Sequence, residues 1–129
     1  MSWSYSCPHC SAGLNPGETI ALVGECGGQR ILVGLHPEPG NYQAHLPPGF
    51  ELDSGSTWTF YCPVCQQSLV AKQSERFCAI DGPFRGPKHR VYFSRVAGEQ
   101  ATFVVTAERI HERHGRDVGQ HSLDLLKEI

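Results

Sequence analysis

A chain of 129 residues can form one domain with a core of its own, burying roughly two-thirds of its unfolded surface, so disulfides are not needed for folding. A formal net charge of -2, from 11 basic and 13 acidic residues, argues against a general polyanion binder but leaves room for a local basic patch. No apolar run approaches the ~20 residues of a membrane helix, and "MSWSYSCPHC" lacks the basic and apolar regions of a secretory leader.

A cytoplasmic chain with no membrane partner is therefore expected. Six cysteines in a reducing compartment read as metal ligands or redox thiols before they read as disulfides. The first element is "WSYSCPHCSAGL", Trp3 to Leu14, an aromatic strand running into a Cys-Pro-x-Cys turn. "ETIALVGE" and "QRILVGLH" follow as two β-branched apolar runs. Cys26-Gly27-Gly28 lies between them, where glycines permit a tight turn, so a β-hairpin is expected. Residues 37–56, rich in Pro, Gly, Asn and Ser, are expected to form a long surface loop.

"TWTFYC" and "SLVAK" flank a second turn, Cys62-Pro63-Val64-Cys65, and "RFCAI" is a further strand. "RVYFSRV" and "QATFVVT", joined through "AGE", read as a C-terminal hairpin. Thr106 fits an N-cap for a short helix over "AERIHERH", stopped at Gly115. His111 and His114 would share one edge of that helix. Leu123, Leu126 and Ile129 stand at helical spacing in the tail. The expected fold is mainly β, a small α+β domain over residues 1–129, with its C-terminal hairpin and helix at about 90–115.

The segment Trp58 to Leu69 repeats Trp3 to Leu14 without a gap, 55 residues on. Trp, an aromatic, Cys-Pro-x-Cys and Leu recur in register. Alternate residues of a strand share a face, so in each copy the Trp, the aromatic and the first Cys share one. The Leu four residues after the second Cys would pack beneath the turn. Two such turns brought together supply four thiolates, enough to close a tetrahedral metal site. The ligands are then Cys7, Cys10, Cys62 and Cys65.

This arrangement resembles a zinc ribbon, in which two knuckle turns on β-hairpins share one metal. The resemblance covers the two twelve-residue copies and implies zinc, with iron accepted by the same ligands. It departs from the family's habit of a glycine just after the second Cys, since Ser11 and Gln66 stand there. The 51 residues between the two pairs also exceed a compact ribbon. A different partition gives two sites, Cys7, Cys10, Cys26 and His36 in one and Cys62, Cys65, Cys78 and His89 in the other. The blander reading of Cys78 is a buried apolar thiol.

A four-thiolate site is closed, and hydrolytic zinc needs an open position. The chain has no H-E-x-x-H, no deaminase signature, no P-loop, no dinucleotide fingerprint and no G-x-S-x-G. A non-catalytic protein-binding module is the first expectation. "FRGPKHRVYFSR" carries Arg85, Lys88, Arg90 and Arg95 among aromatics with no acid, a pattern that binds nucleic acid on some strands. A nucleic-acid module is the second expectation. A dithiol redox protein is the third, although neither Cys-x-x-Cys pair precedes a helix-like segment.

Overall fold

The computed structural model describes residues 3–72, 75–82, 89–106 and 110–117. The first hairpin forms as its sequence demands. β1 (Ile20–Cys26) pairs antiparallel with β2 (Gln29–Leu35), and Cys26 faces Gln29 across the turn. Gly27 and Gly28 both take positive φ, 64° and 82°, as a two-residue turn of the hairpin twist requires. Ile20, Leu22 and Gly24 alternate inward with half-buried neighbours, the signature of a strand with one solvated face.

The long loop contains the two-residue strand β3 (Ala44–His45), which pairs with the end of β2. β4 (Thr59–Tyr61) lies on the other side of β1, so this sheet runs β3-β2-β1-β4. The second sheet is a meander of β5 (Phe77–Asp81), β6 (Arg90–Ser94), β7 (Thr102–Val105) and β8 (Ile110–His114), each antiparallel to the next.

β8 corrects one expectation. Residues 110–114 form an edge strand, not a helix, and no helix occurs among the described residues. An eight-residue helix is too short to be stable by its own hydrogen bonds. β7, buried at all four positions, offers an open row of backbone groups that β8 satisfies. The register slips between Val104 and Val105, which accommodates one extra residue in β8. Leu123, Leu126 and Ile129, at helical spacing in the tail, lie outside the described residues.

The principal core draws on both sheets. Leu22 and Val33 of the first meet Ile80, Val91 and Val104 of the second, with Tyr5, Trp58 and Phe60 among them. The opposite side of the second sheet carries a separate cluster of Phe77, Tyr92, Phe103 and Val105, with the Phe77 and Phe103 rings edge-on at 5.7 Å.

Candidate metal centre

Each knuckle is built by the same hydrogen bonds, copied 55 residues apart. The Ser11 N–H donates to the Cys7 carbonyl at 2.9 Å, and the Gln66 N–H to the Cys62 carbonyl at 3.0 Å. Cys7 N–H donates to Ala12 O and Cys62 N–H to Gln67 O, at 2.9 and 3.1 Å. Leu14 N–H reaches Tyr5 O and Leu69 N–H reaches Phe60 O, at 3.0 and 2.8 Å. Closing the turn forces the residue after the second Cys into the left-handed region. Ser11 has φ 63° and Gln66 φ 65°, the only non-glycine residues with positive φ among those described. The turn thus takes the conformation for which zinc ribbons use glycine, on two residues that adopt it at a cost.

The side chains follow the alternation read from the repeat. Tyr5 and Cys7, like Trp58, Phe60 and Cys62, are all buried. Leu14 and Leu69 are buried beneath the turns. A polar group also holds each tryptophan's carbonyl. Asn15 Nδ2 donates to Trp3 O at 2.6 Å, and Arg95 Nε to Trp58 O at 2.7 Å.

The two copies then exchange strands. Ser6, in the lead strand of the first knuckle, bridges to Asp81 at the end of β5, with reciprocal N–H···O bonds of 2.9 and 3.0 Å. β4, the lead strand of the second knuckle, pairs with β1, placing Tyr61 opposite Val23. Tyr61 is the counterpart of Ser6. Val23 is the counterpart of Asp81, because Ala21 N–H bonds Leu14 O and Ala79 N–H bonds Leu69 O, each at 2.8 Å. Each lead strand therefore edges the other copy's hairpin, a pseudo-twofold interlock that sets the knuckles side by side. Gly82, at φ 129°, permits the close pass: a Cβ there would stand 2.4 Å from Ser4 O.

The interlock gathers Cys7, Cys10, Cys62 and Cys65, whose Sγ atoms all lie within 4.8 Å of one another. Two contacts cross between knuckles, Cys7 to Cys65 at 3.7 Å and Cys10 to Cys62 at 3.8 Å. A tetrahedron with metal–sulfur bonds of ~2.3 Å has sulfurs about 3.8 Å apart. A disulfide needs ~2.05 Å, and all six cysteines are free thiols. The cluster can hold a metal ion.

Backbone N–H groups are aimed at the buried sulfurs. His9 N–H reaches Cys7 Sγ, and Val64 N–H reaches Cys62 Sγ, both at 3.3 Å. Burial pushes the Cys7 thiol up to about 12 against the pull of the Cys10 and His9 amides. At Cys62 burial also raises the value, but the Cys65 and Val64 amides and the Cys7 and Cys65 thiols outweigh it and bring it to about 7.

Cys26 and Cys78 fall outside the cluster, the single one of its kind among the described residues. Cys78 is fully buried in β5, and burial raises its thiol to about 12. Cys26 is half-buried at the hairpin turn. The arrangement therefore favours one four-cysteine cluster over two sites completed by His36 and His89. His9 Nε2 lies 3.0 Å from Ser68 O and ties one knuckle to the other, a link that no spacing rule foretold.

Of the basic segment, Arg85 and Lys88 lie outside the described residues. Arg90 pairs with Asp81 at 3.1 Å. The Arg95 guanidinium donates to Trp58 O, Thr59 Oγ1 and Glu75 O. His114 Nε2 lies 2.7 Å from Glu112 Oε1, two residues away along one face of β8. Compared with protein-family models, curated protein sequences and solved structures, the chain finds no match.

Proposed function

We propose that Cys7, Cys10, Cys62 and Cys65 hold one zinc ion as a closed structural site, and that the protein is a non-catalytic protein-interaction module. The observation that carries the metal reading is the four-sulfur cluster, with cross-knuckle spacings that suit a zinc tetrahedron. Four thiolates leave no coordination position for water or substrate, so the ion's work is to join the interlocked copies. Zinc needs no redox partner and has no geometric preference of its own, which suits a site shaped by two rigid turns.

A protein partner is supported by the solvent face of the first sheet. Leu32, Val23 and Tyr61 form one row across β2, β1 and β4. Leu32 is 59% exposed, the Arg30 guanidinium covers the Tyr61 ring at 4.3 Å, and Val64 at the neighbouring knuckle tip is 66% exposed. Apolar and aromatic groups beside an arginine are the composition of protein interfaces. Arg90 and Arg95 are committed within the chain, which weakens the nucleic-acid alternative.

Elemental analysis of protein purified without added metal tests the first half: one zinc per chain is expected. Cys7→Ser and Cys62→Ser should lose it, and Cys26→Ser and Cys78→Ser should keep it. Two zinc ions, none, or the visible absorption of thiolate-bound iron would each overturn the assignment. Retention of RNA or DNA that falls steeply with salt would favour the nucleic-acid reading instead.

A further inference from the structure

Between the two sheets, on the side of the core bordered by residues 36–44, lies a cavity of about 300 Å³. Its walls are the inward-facing Tyr5, Trp58, Phe60, Ile80, Val91 and Phe93. Protein interiors are packed nearly as densely as organic crystals, and voids of this size are few. An apolar cavity of ~150 Å³ stays dry and takes up benzene, so this one has room for about two fused rings. Small-molecule sites have the same makeup, an apolar and aromatic wall with few polar groups at the mouth.

The rim is a short strap pinned at both ends. The Tyr5 hydroxyl donates to Pro37 O. The Tyr42 hydroxyl donates to His114 O at 3.1 Å and lies 2.9 Å from Thr102 Oγ1. Asn41 N–H closes a turn onto Glu38 O at 3.0 Å. Of the charged residues on the lining, Arg95 and Glu99 are already engaged, and the Glu38 carboxylate stands exposed at the rim. Arg95 is spent on Trp58, Thr59 and Glu75, and the Glu99 carboxylate on Ser94 and Arg76. An anionic ligand would therefore be buried without a counter-ion, at a large cost. His36 is different. It is on the lining, and with its Nδ1 accepting the Glu38 N–H at 3.0 Å the ring atom left for a ligand is Nε2, the donor of that tautomer.

We propose that this cavity binds a small aromatic ligand of about two fused rings that carries no anionic group, with one hydrogen-bond acceptor that meets His36 at the rim. The site is separate from the cysteine cluster and does not depend on the metal assignment.

The test is a titration of the full chain, as purified, with 2-naphthol, followed by tryptophan fluorescence and amide shifts. One-to-one saturation below about 1 mM is expected for a ligand of this size. Intermolecular NOEs should run from the naphthyl protons to Trp58, Phe60, Val91 and Phe93. Ala44→Leu and Ala97→Leu, which extend lining side chains into the space, should each weaken binding about tenfold or more. Naphthalene-2-sulfonate should bind far more weakly than the neutral probe.

No saturation, NOEs to residues elsewhere, or equal binding of the sulfonate would overturn the proposal. So would probe-free NOEs from Leu123, Leu126 or Ile129 methyls to Trp58, because the chain's own tail would then fill the cavity. If either alanine variant fails to fold, the NOE map of the unaltered protein decides.

Discussion

Replacing Ser11 with glycine should stabilise this protein. Ser11 holds φ 63° so that its N–H can close the first knuckle onto Cys7 O. A left-handed conformation costs an L-residue ~1–2 kcal/mol. Glycine removes that cost but adds about 0.5–1 kcal/mol of chain freedom to the unfolded state. Ser11 is exposed, and a glycine there keeps the backbone bond. The net gain is therefore about 0.5–1 kcal/mol, a rise of ~2–4 °C in Tm for a domain of this size. Gln66→Gly should gain less, because the Gln66 amide also donates to Pro63 O at 3.3 Å. Ser11→Val should do the opposite and lose ~1 kcal/mol or more, since a β-branched residue tolerates positive φ worst. Calorimetry at one fixed free zinc concentration is the assay, because metal that binds only the folded chain shifts Tm by mass action. If Ser11→Val melted at or above Ser11→Gly, the left-handed turn at the knuckle would be wrong.

Three further outcomes follow from the packing. Dividing the chain after the exposed Glu51, by co-expressing residues 1–51 and 52–129, should give two fragments that co-elute, because each supplies an edge strand to the other's hairpin; separation of the fragments in native gel filtration would refute the exchange. Arg95→Ala should cost about 2–3 kcal/mol in urea unfolding, since it leaves the Trp58 carbonyl without its charged donor; a loss within 0.5 kcal/mol, the ordinary range for surface changes, would mean the guanidinium is not anchored there. Cys78 should resist alkylation in native protein, and its contribution to stability should depend on alkaline pH. Its folded thiol is raised from 9.0 to about 12, so the contribution is complete below pH 9 and is lost as pH climbs toward 12; a Cys78→Ala variant with the same loss of stability between pH 9 and 10.5 as the parent would contradict this.

The amino-acid sequence by itself determined the features that close within a few residues. The Gly27-Gly28 turn and its flanking β-branched runs make the first hairpin almost unavoidable. The Cys-Pro-x-Cys turns, with a buried Leu four residues on, specify the knuckles, and their repetition marks four cysteines as a set. Tertiary structure decided everything that rests on long-range pairing. Whether "AERIHERH" winds or extends depends on the open edge of β7, which no local propensity reports. The segment has the composition of a helix, yet its backbone groups find partners already in place on the neighbouring strand. Arg95 reads as a solvated charge in the chain and becomes the clamp on Trp58 only after β6 is laid beside the second knuckle. The exchange of lead strands is likewise invisible in the repeat. Each copy could have paired with its own hairpin or with the other's, and the local hydrogen bonds of a knuckle are the same either way. In this fold the crossed pairing docks the two lead strands on opposite sheets, sets the knuckles side by side and brings Cys7 within 3.7 Å of Cys65.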